Sequence, residues 1–386
     1  AQSEHSKKQI EPLVSPKIKK LKIRGISMKK LLTLLLICAL IIGVVGCGGK
    51  TESTEPQGSA EPADVEDTKV DFSRLRIVIG STSTGGDTYE NAEAIARFLE
   101  EPLGVNAKVD AVGAGRAFNE LEKAPKDGST VMFFHDMTYL GVEFGSYDAK
   151  YALENWEIGP MVSENPGNAF LAKHDAPYNT MAEAAEWLKN NPNEKITIAI
   201  EAVGVSEISF HAFYLWVKDT YGEDVANRIK VYVTGSQSEK DQALWDGNVE
   251  IIHGSMGANA QYTDEGVDEQ IRMKFLGVTS AERIPGFEDV PTFAEMGITF
   301  DGKPFVFTKE FFFLLPKDVD PVFAEKLDKA VAKIMAEQPD YEEILNVRTY
   351  LKNHKPAAEA KEYIYEKRAS IQKMIEMAPD LDDLVN

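Results

Sequence analysis

LRIVIG STSTGGDTYEN AEAIARFLEEPLG, residues 75–104, decides the fold. A β-branched run stops at Gly80. A loop of hydroxyls and two glycines follows, and an Ala-, Glu- and Arg-rich helical stretch starts at Ala92 and is closed by Pro102 and Gly104. Strand, loop and helix make half of a β-α-β unit, and the alternation continues along the chain. Strands are expected at 106–112, 129–135, 158–163, 169–174, 195–200, 228–235, 249–254, 273–279 and 309–316. Helices are expected at 118–123, from Thr180, at 208–218, at 239–245, and from Pro321 to the end. Thr180 is followed three residues later by Glu183, the capping-box pattern. The pattern implies an α/β architecture of two lobes, each a mainly parallel sheet flanked by helices.

Ligands of open α/β sheets bind outside the carboxyl ends of strands. The loops there read STSTGGDT (81–88), HDMT (135–138), EAVGVS (201–206), TGSQS (234–238) and HGSMG (253–257). Small residues let backbone N–H groups approach a ligand, a helix N-terminus behind them favours an anion, and hydroxyls add adjustable donors. His135, Asp136, Gly235, Ser236, His253 and Ser255 are rim candidates on this ground.

Other chemistry is excluded. The six histidines show no metal-ligand spacing and there is no HExxH, so no metal is expected. HGSMG lacks the first glycine of a nucleophile elbow. No P-loop occurs, and GAGRAF (113–118) lacks the third glycine of a dinucleotide fingerprint, so no cofactor and no enzyme activity are expected. A formal net charge of −20 argues against nucleic acid as partner.

The N-terminal segment reads as an address. Lys29 and Lys30 precede the apolar run 31–45, which is too short for a comfortable membrane span but has the length of a signal h-region. Val44-Val45-Gly46-Cys47 resembles a bacterial lipobox, with Cys47 the lipidated first mature residue. Residues 28–46 are then a lipoprotein signal peptide and 1–27 an upstream extension. Residues 47–71 carry the lipid anchor and a tether rich in Gly, Ser, Thr, Glu and Pro, which buries too little apolar surface to fold. The remainder would sit on the outer face of the bacterial cytoplasmic membrane. Both cysteines, Cys38 and Cys47, lie in this segment, so the folded part has no disulfide framework.

KFLGVTSAERIPGFEDVPTFAEMG (274–297) resembles the late signature of the solute receptors of tripartite tricarboxylate transporters: VTSxxR at Val278–Arg283, then DVPT at Asp289–Thr292 with Glu295 and Gly297. IVIGSTSTGGDTYENA, VDAVGAG, APKDGSTVMF, DGNVEII and FFFLLPKDVDPVFAEKLDKAV follow in the family's order, covering the chain from Arg74 onward. The resemblance implies a periplasmic-binding-protein-like clamshell of type II. Lobe 1 would hold 72–170 plus 312–386 and lobe 2 would hold 171–311, with a small organic acid, by default a di- or tricarboxylate, in the cleft. It implies a monomer that presents its ligand to a membrane permease and does no chemistry. A sensor lipoprotein signalling to a membrane kinase is the alternative. Carried over, the family's carboxylate-holding loops are Ser81, Thr84, Gly85, Gly86 and Thr88, and Ala202 to Ser206 with Gly204 between. The second loop departs from the family's Gly-Ser-Ser-Gly-x-Gly-Ser by losing hydroxyls and gaining Glu201. Facing the cleft, Glu201 would repel a second carboxylate by about 4 kcal/mol at 4 Å and an effective dielectric constant of about 20. Pointing to solvent, it would be neutral in effect.

Overall fold

A computed structural model describes residues 68–385. The extension 1–27, the signal 28–46, Cys47 and most of the tether lie outside the described residues. Those described belong to one compact unit, Glu61–Asn386.

The chain opens with β1 (Arg74–Ile79), α1 (Asp87–Leu103), β2 (Asn106–Ala111), α2 (Ala114–Glu122), β3 (Thr130–Phe134), α3 (Met137–Glu143) and β4 (Trp156–Asn165). It crosses at Pro166-Gly167 into β5 (Asn168–Lys173), α4 (Met181–Asn190), β6 (Ile196–Glu201), α5 (Val205–Tyr221), α6 (Glu223–Ala226), β7 (Ile229–Thr234), α7 (Gln237–Trp245), β8 (Ile251–Ser255), α8 (Met256–Asn259) and β9 (Met273–Val278). A small ribbon of β10 (Thr299–Phe300) and β11 (Lys303–Pro304) precedes the return through β12 (Lys309–Pro316). The chain ends with α9 (Pro321–Glu337), α10 (Pro339–Asn346), β13 (Leu351–Lys355), α11 (Ala357–Met377) and α12 (Leu381–Leu384).

Two main sheets result, ordered β13-β4-β12-β3-β1-β2 and β7-β6-β8-β5-β9. The fold is the expected two-lobed α/β architecture: most strands of each sheet run the same way, and each sheet also takes in reversed strands. β1 pairs in parallel with β2 and β3, and β6 with β7 and β8. β4, β5, β12, β13 and β9 join antiparallel. The reason is topological: β5 and β12 are the strands on which the chain enters a sheet from the other lobe, and each runs against the β-α-β strands beside it, as β13 does at the edge of the first sheet. The boundaries expected after 170 and 311 fall inside β5 and β12, so the crossings come a few residues earlier.

The inner strands, such as β3, β6 and β12, are buried on both faces, which explains their unbroken apolar runs. Ile77 and Ile79 pack with α1 and α9 residues such as Ile95 and Leu327, whereas Val78 faces Phe118 and Leu121 of α2. Phe311, Phe312 and Phe313 on β12 are all fully buried. Behind the cleft, α11 packs on α5, and one apolar cluster runs through both lobes, from Ile364 and Ile371 to Phe210 and Phe213.

The C-terminal part is not helical throughout, because the half-exposed run LKNHK forms β13 at the edge of the first sheet. Nor does it stay in lobe 1: Val385 bridges Val231 on β7 of the second sheet, with Leu384 buried. Thr180 caps α4 as expected, and Glu183 reaches back one residue further than in a capping box, to the amide before the cap. Thr180 Oγ1 accepts from the Glu183 amide at 3.0 Å, and Glu183 Oε2 accepts from the Asn179 amide at 2.7 Å.

Candidate functional site

Between the sheets lies a cleft of about 770 Å³, walled by β6, α5, α7 and β8 on one side and by α1, β12 and the loop before β13 on the other. The turn from β6 into α5 is its most constrained wall. The Glu201 amide donates to Ser206 Oγ at 3.2 Å, tying the strand end to the first turn of the helix. Val203 sits at φ 61, a left-handed conformation rare for a β-branched residue, and its amide donates to Glu207 Oε2 at 2.6 Å. Such strain, of order 1–3 kcal/mol, persists where surrounding bonds over-determine it and clusters at ligand clamps. Thr349, also at φ 61, lines the same cleft from the opposite lobe.

The cleft is charged. Lys309 Nζ lies 2.7 Å from Asp87 Oδ2, Lys240 Nζ 2.8 Å from Glu201 Oε1, and Arg348 Nε 3.2 Å from Glu90 Oε1. Burial alone would raise the Asp87 carboxyl, but the Lys309 ammonium and the hydrogen bonds from Lys309 and Asn165 hold it well below the usual carboxylate range. Burial lowers the Lys240 ammonium, and Glu201 opposes that. Burial and the Lys309 ammonium push His135 down to about 3. Burial, Lys240 and Lys309 likewise push His253 well below its ordinary value. Both imidazoles are therefore neutral at pH 7. Among the described residues no group of three or more His, Cys, Asp or Glu is placed to hold a metal.

Of the residues singled out from the sequence, His135, Glu201, Ala202, Gly204, Ser206, His253 and Ser255 line the cleft. Glu201 faces it, and its charge is met by Lys240. Ser81, Thr84, Gly85, Gly86, Thr88, Gly235 and Ser236 do not belong to the lining. In the first loop α1 begins at Asp87, earlier than expected, and the hydroxyls are used inside the turn. Ser81 Oγ accepts from the Ser83 amide and Ser83 Oγ from the Gly85 amide. Ser236 caps α7 by accepting from the Glu239 amide. Asp136 also lies outside the lining, in a buried cluster with Lys367 and Glu310. Sequence reasoning missed Asp87 and Glu90, Asn165 and Asn168 at the crossing, Lys240, Lys309 and Arg348–Tyr350.

The lobes approach each other at two glycines of the second lobe. A Cβ at Gly204 would stand 3.6 Å from Met137 Sδ, and one at Gly257 would stand 3.4 Å from Thr349 Oγ1. Gly257 has no left-handed φ, so a larger side chain adds no backbone strain there. Gly257→Leu is therefore expected to hold the lobes apart and weaken ligand binding at least tenfold, with an unchanged circular dichroism spectrum. Unchanged affinity by calorimetry would remove this contact from closure.

A family profile described as "Tripartite tricarboxylate transporter family receptor" matches residues 90–378. Among solved structures, a TctC solute-binding protein from Polaromonas aligns with TM-score 0.62 and 19% identity, over 80% of this chain and 99% of its own. MatC from Rhodopseudomonas palustris, solved with bound malate, aligns with TM-score 0.58 and 19% identity, over 78% of this chain and 99% of its own. A second R. palustris protein, solved with adipate, aligns with TM-score 0.58 and 19% identity, over 78% and 96% of the two chains. These likenesses are of fold. No curated protein sequence matches the chain.

Proposed function

The chain belongs to the receptor family of tripartite tricarboxylate transporters, and from that premise we propose that it captures a small organic carboxylate in the interlobe cleft and hands it to the membrane permease of such a transporter. One observation carries the reading. The cleft is walled by both lobes, and its rims meet at Met137 with Gly204 and at Thr349 with Gly257. A ligand seated there contacts both lobes, so it favours the closed state by its differential affinity. The amide end of α5, whose N-cap Gly204 contributes no side chain, and the Lys240 ammonium supply donors for a carboxylate. The malate and adipate held by the two R. palustris proteins support that ligand class.

In this reading residues 28–46 direct export and a lipid on Cys47 holds the receptor at the outer face of the membrane. No helix among the described residues is long and apolar enough to cross a membrane. Cys47→Ala is expected to move the protein from the membrane fraction to the soluble one, and retention in the membrane would refute the anchor.

The binding itself is tested by thermal shift of the purified part from Thr68 onward. At about 100 Kd a true ligand stabilises by about 2.7 kcal/mol, a shift of a few degrees. Stabilisation by at least one di-, tri- or amino-carboxylate is expected. A panel of these with no effect would sink the carboxylate reading.

A further inference from the structure

Resting on that receptor reading, the charge pattern of the cleft narrows the ligand. Among the described lining residues the cations are Lys240, Lys309 and Arg348, and each is already paired with a carboxylate that also lines the cleft. The two histidines there are neutral. The cleft thus offers an incoming ligand no uncompensated cation. A dianion would have to be held by dipoles alone, or would displace an ion pair and strand a carboxylate of the chain without its counter-charge. A zwitterion enters without changing the balance.

The β6–α5 turn offers complementary partners side by side. Glu201 spends one oxygen, Oε1, on Lys240, and its side chain remains 45% exposed. The bond from its amide to Ser206 Oγ holds this acceptor next to the uncapped amides of α5. An α-amino acid carries an ammonium and a carboxylate on one carbon, and needs an acceptor and anion donors at that spacing. His253, 7% exposed and lining the same cleft, has an Nε2 atom with no hydrogen-bond partner. It provides a neutral polar group for the remainder of the ligand.

We propose that the receptor takes an α-amino acid, its ammonium on Glu201 and its carboxylate on the α5 amides and Lys240, in preference to the corresponding dicarboxylate. Calorimetry with matched pairs tests this: aspartate against succinate, glutamate against glutarate, and the other common amino acids against their deaminated acids. The amino compound of the binding pair is expected to bind at least tenfold tighter, and Glu201→Gln, whose amide oxygen still accepts from Lys240, is expected to bring the ratio within about twofold. Dicarboxylates that bind the unaltered receptor as tightly as their amino partners overturn the proposal and leave the carboxylate receptor standing. An amino preference untouched by Glu201→Gln overturns the assignment to Glu201. Binding of neither class overturns both readings together.

Discussion

Lys367→Met is expected to destabilise the protein by about 3–5 kcal/mol at pH 8, because it strips the cation from a buried acidic cluster. Lys367 reaches from α11 to Asp136 Oδ1 at 2.8 Å and to the Thr308 carbonyl at 2.6 Å, pairs with Glu310, and lies 3.9 Å above the Phe307 ring. Asp136 and Glu310 are each 1% exposed. Tyr139 donates to Asp136, Tyr363 donates to Glu310 at 2.7 Å, and Asp136 Oδ2 has no partner at all. Methionine fills a similar volume, so packing is largely kept and the charge is what is lost. Burial, with Glu310 nearby, already raises the Asp136 carboxyl against the pull of Lys367. Without the lysine it rises further. A carboxyl raised in the folded state stabilises at low pH, and that contribution disappears as pH climbs through its folded value. The loss should therefore be smaller at pH 5 than at pH 8. Urea denaturation at both values checks this, and a loss below about 1 kcal/mol at pH 8 would show that the cluster does not depend on its cation.

The second large effect is acid lability. Burial pushes His135 down to about 3 and His211 down to about 4, and holds His253 well below its ordinary value. Unfolded, each titrates near 6.5. Below that pH the unfolded chain binds protons that the folded one refuses, so stability falls as pH falls. At pH 5 the loss is about 2 kcal/mol for each of His135 and His211, and His253 acts in the same direction. Asp136 works in the opposite sense, as do Glu164 and Glu207, both raised by burial. The net loss between pH 7.5 and 5 is expected to be on the order of 3–5 kcal/mol. His211 isolates the cause. It is 3% exposed on α5, neither ring nitrogen has a hydrogen-bond partner, and its charged neighbours are Glu207 at 3.9 Å and Asp380. His211→Leu should recover about 2 kcal/mol more at pH 5 than at pH 7.5. Equal effects at the two pH values would mean that His211 is protonated in the folded protein.

The architecture was legible where burial leaves a mark in composition. KEFFFLLP is covered on both faces and reads as a strand in any context, as do LRIVI and KITIAI. LKNHK was not legible, because its pairing partner β4 and the sheet edge supply its conformation. The start of α1 was hidden for a local reason: Gly86 caps it without a side chain. In the cleft, the rule that ligands gather at carboxyl ends of strands found Glu201, Ser206 and His253. It could not find Lys309, which stands at the start of β12. That strand runs antiparallel to β3, which brings its beginning to the edge where β3 ends. Lys240 is paired with a residue on another element, and no spacing within α7 announces it.

The position of β12 between β3 and β4 also bears on how the protein is made. A chain that emerges N-terminus first delivers β1 to β4 early but lacks the strand that joins β3 to β4 until β12 appears. The second sheet, by contrast, comes from one continuous stretch, β5 to β9, and can close on its own. The first sheet meanwhile waits with two open edges, the exposed state that invites mispairing between chains. Synthesis therefore favours a polypeptide whose inserted lobe folds first, while the lobe that brackets it remains the segment in need of a chaperone.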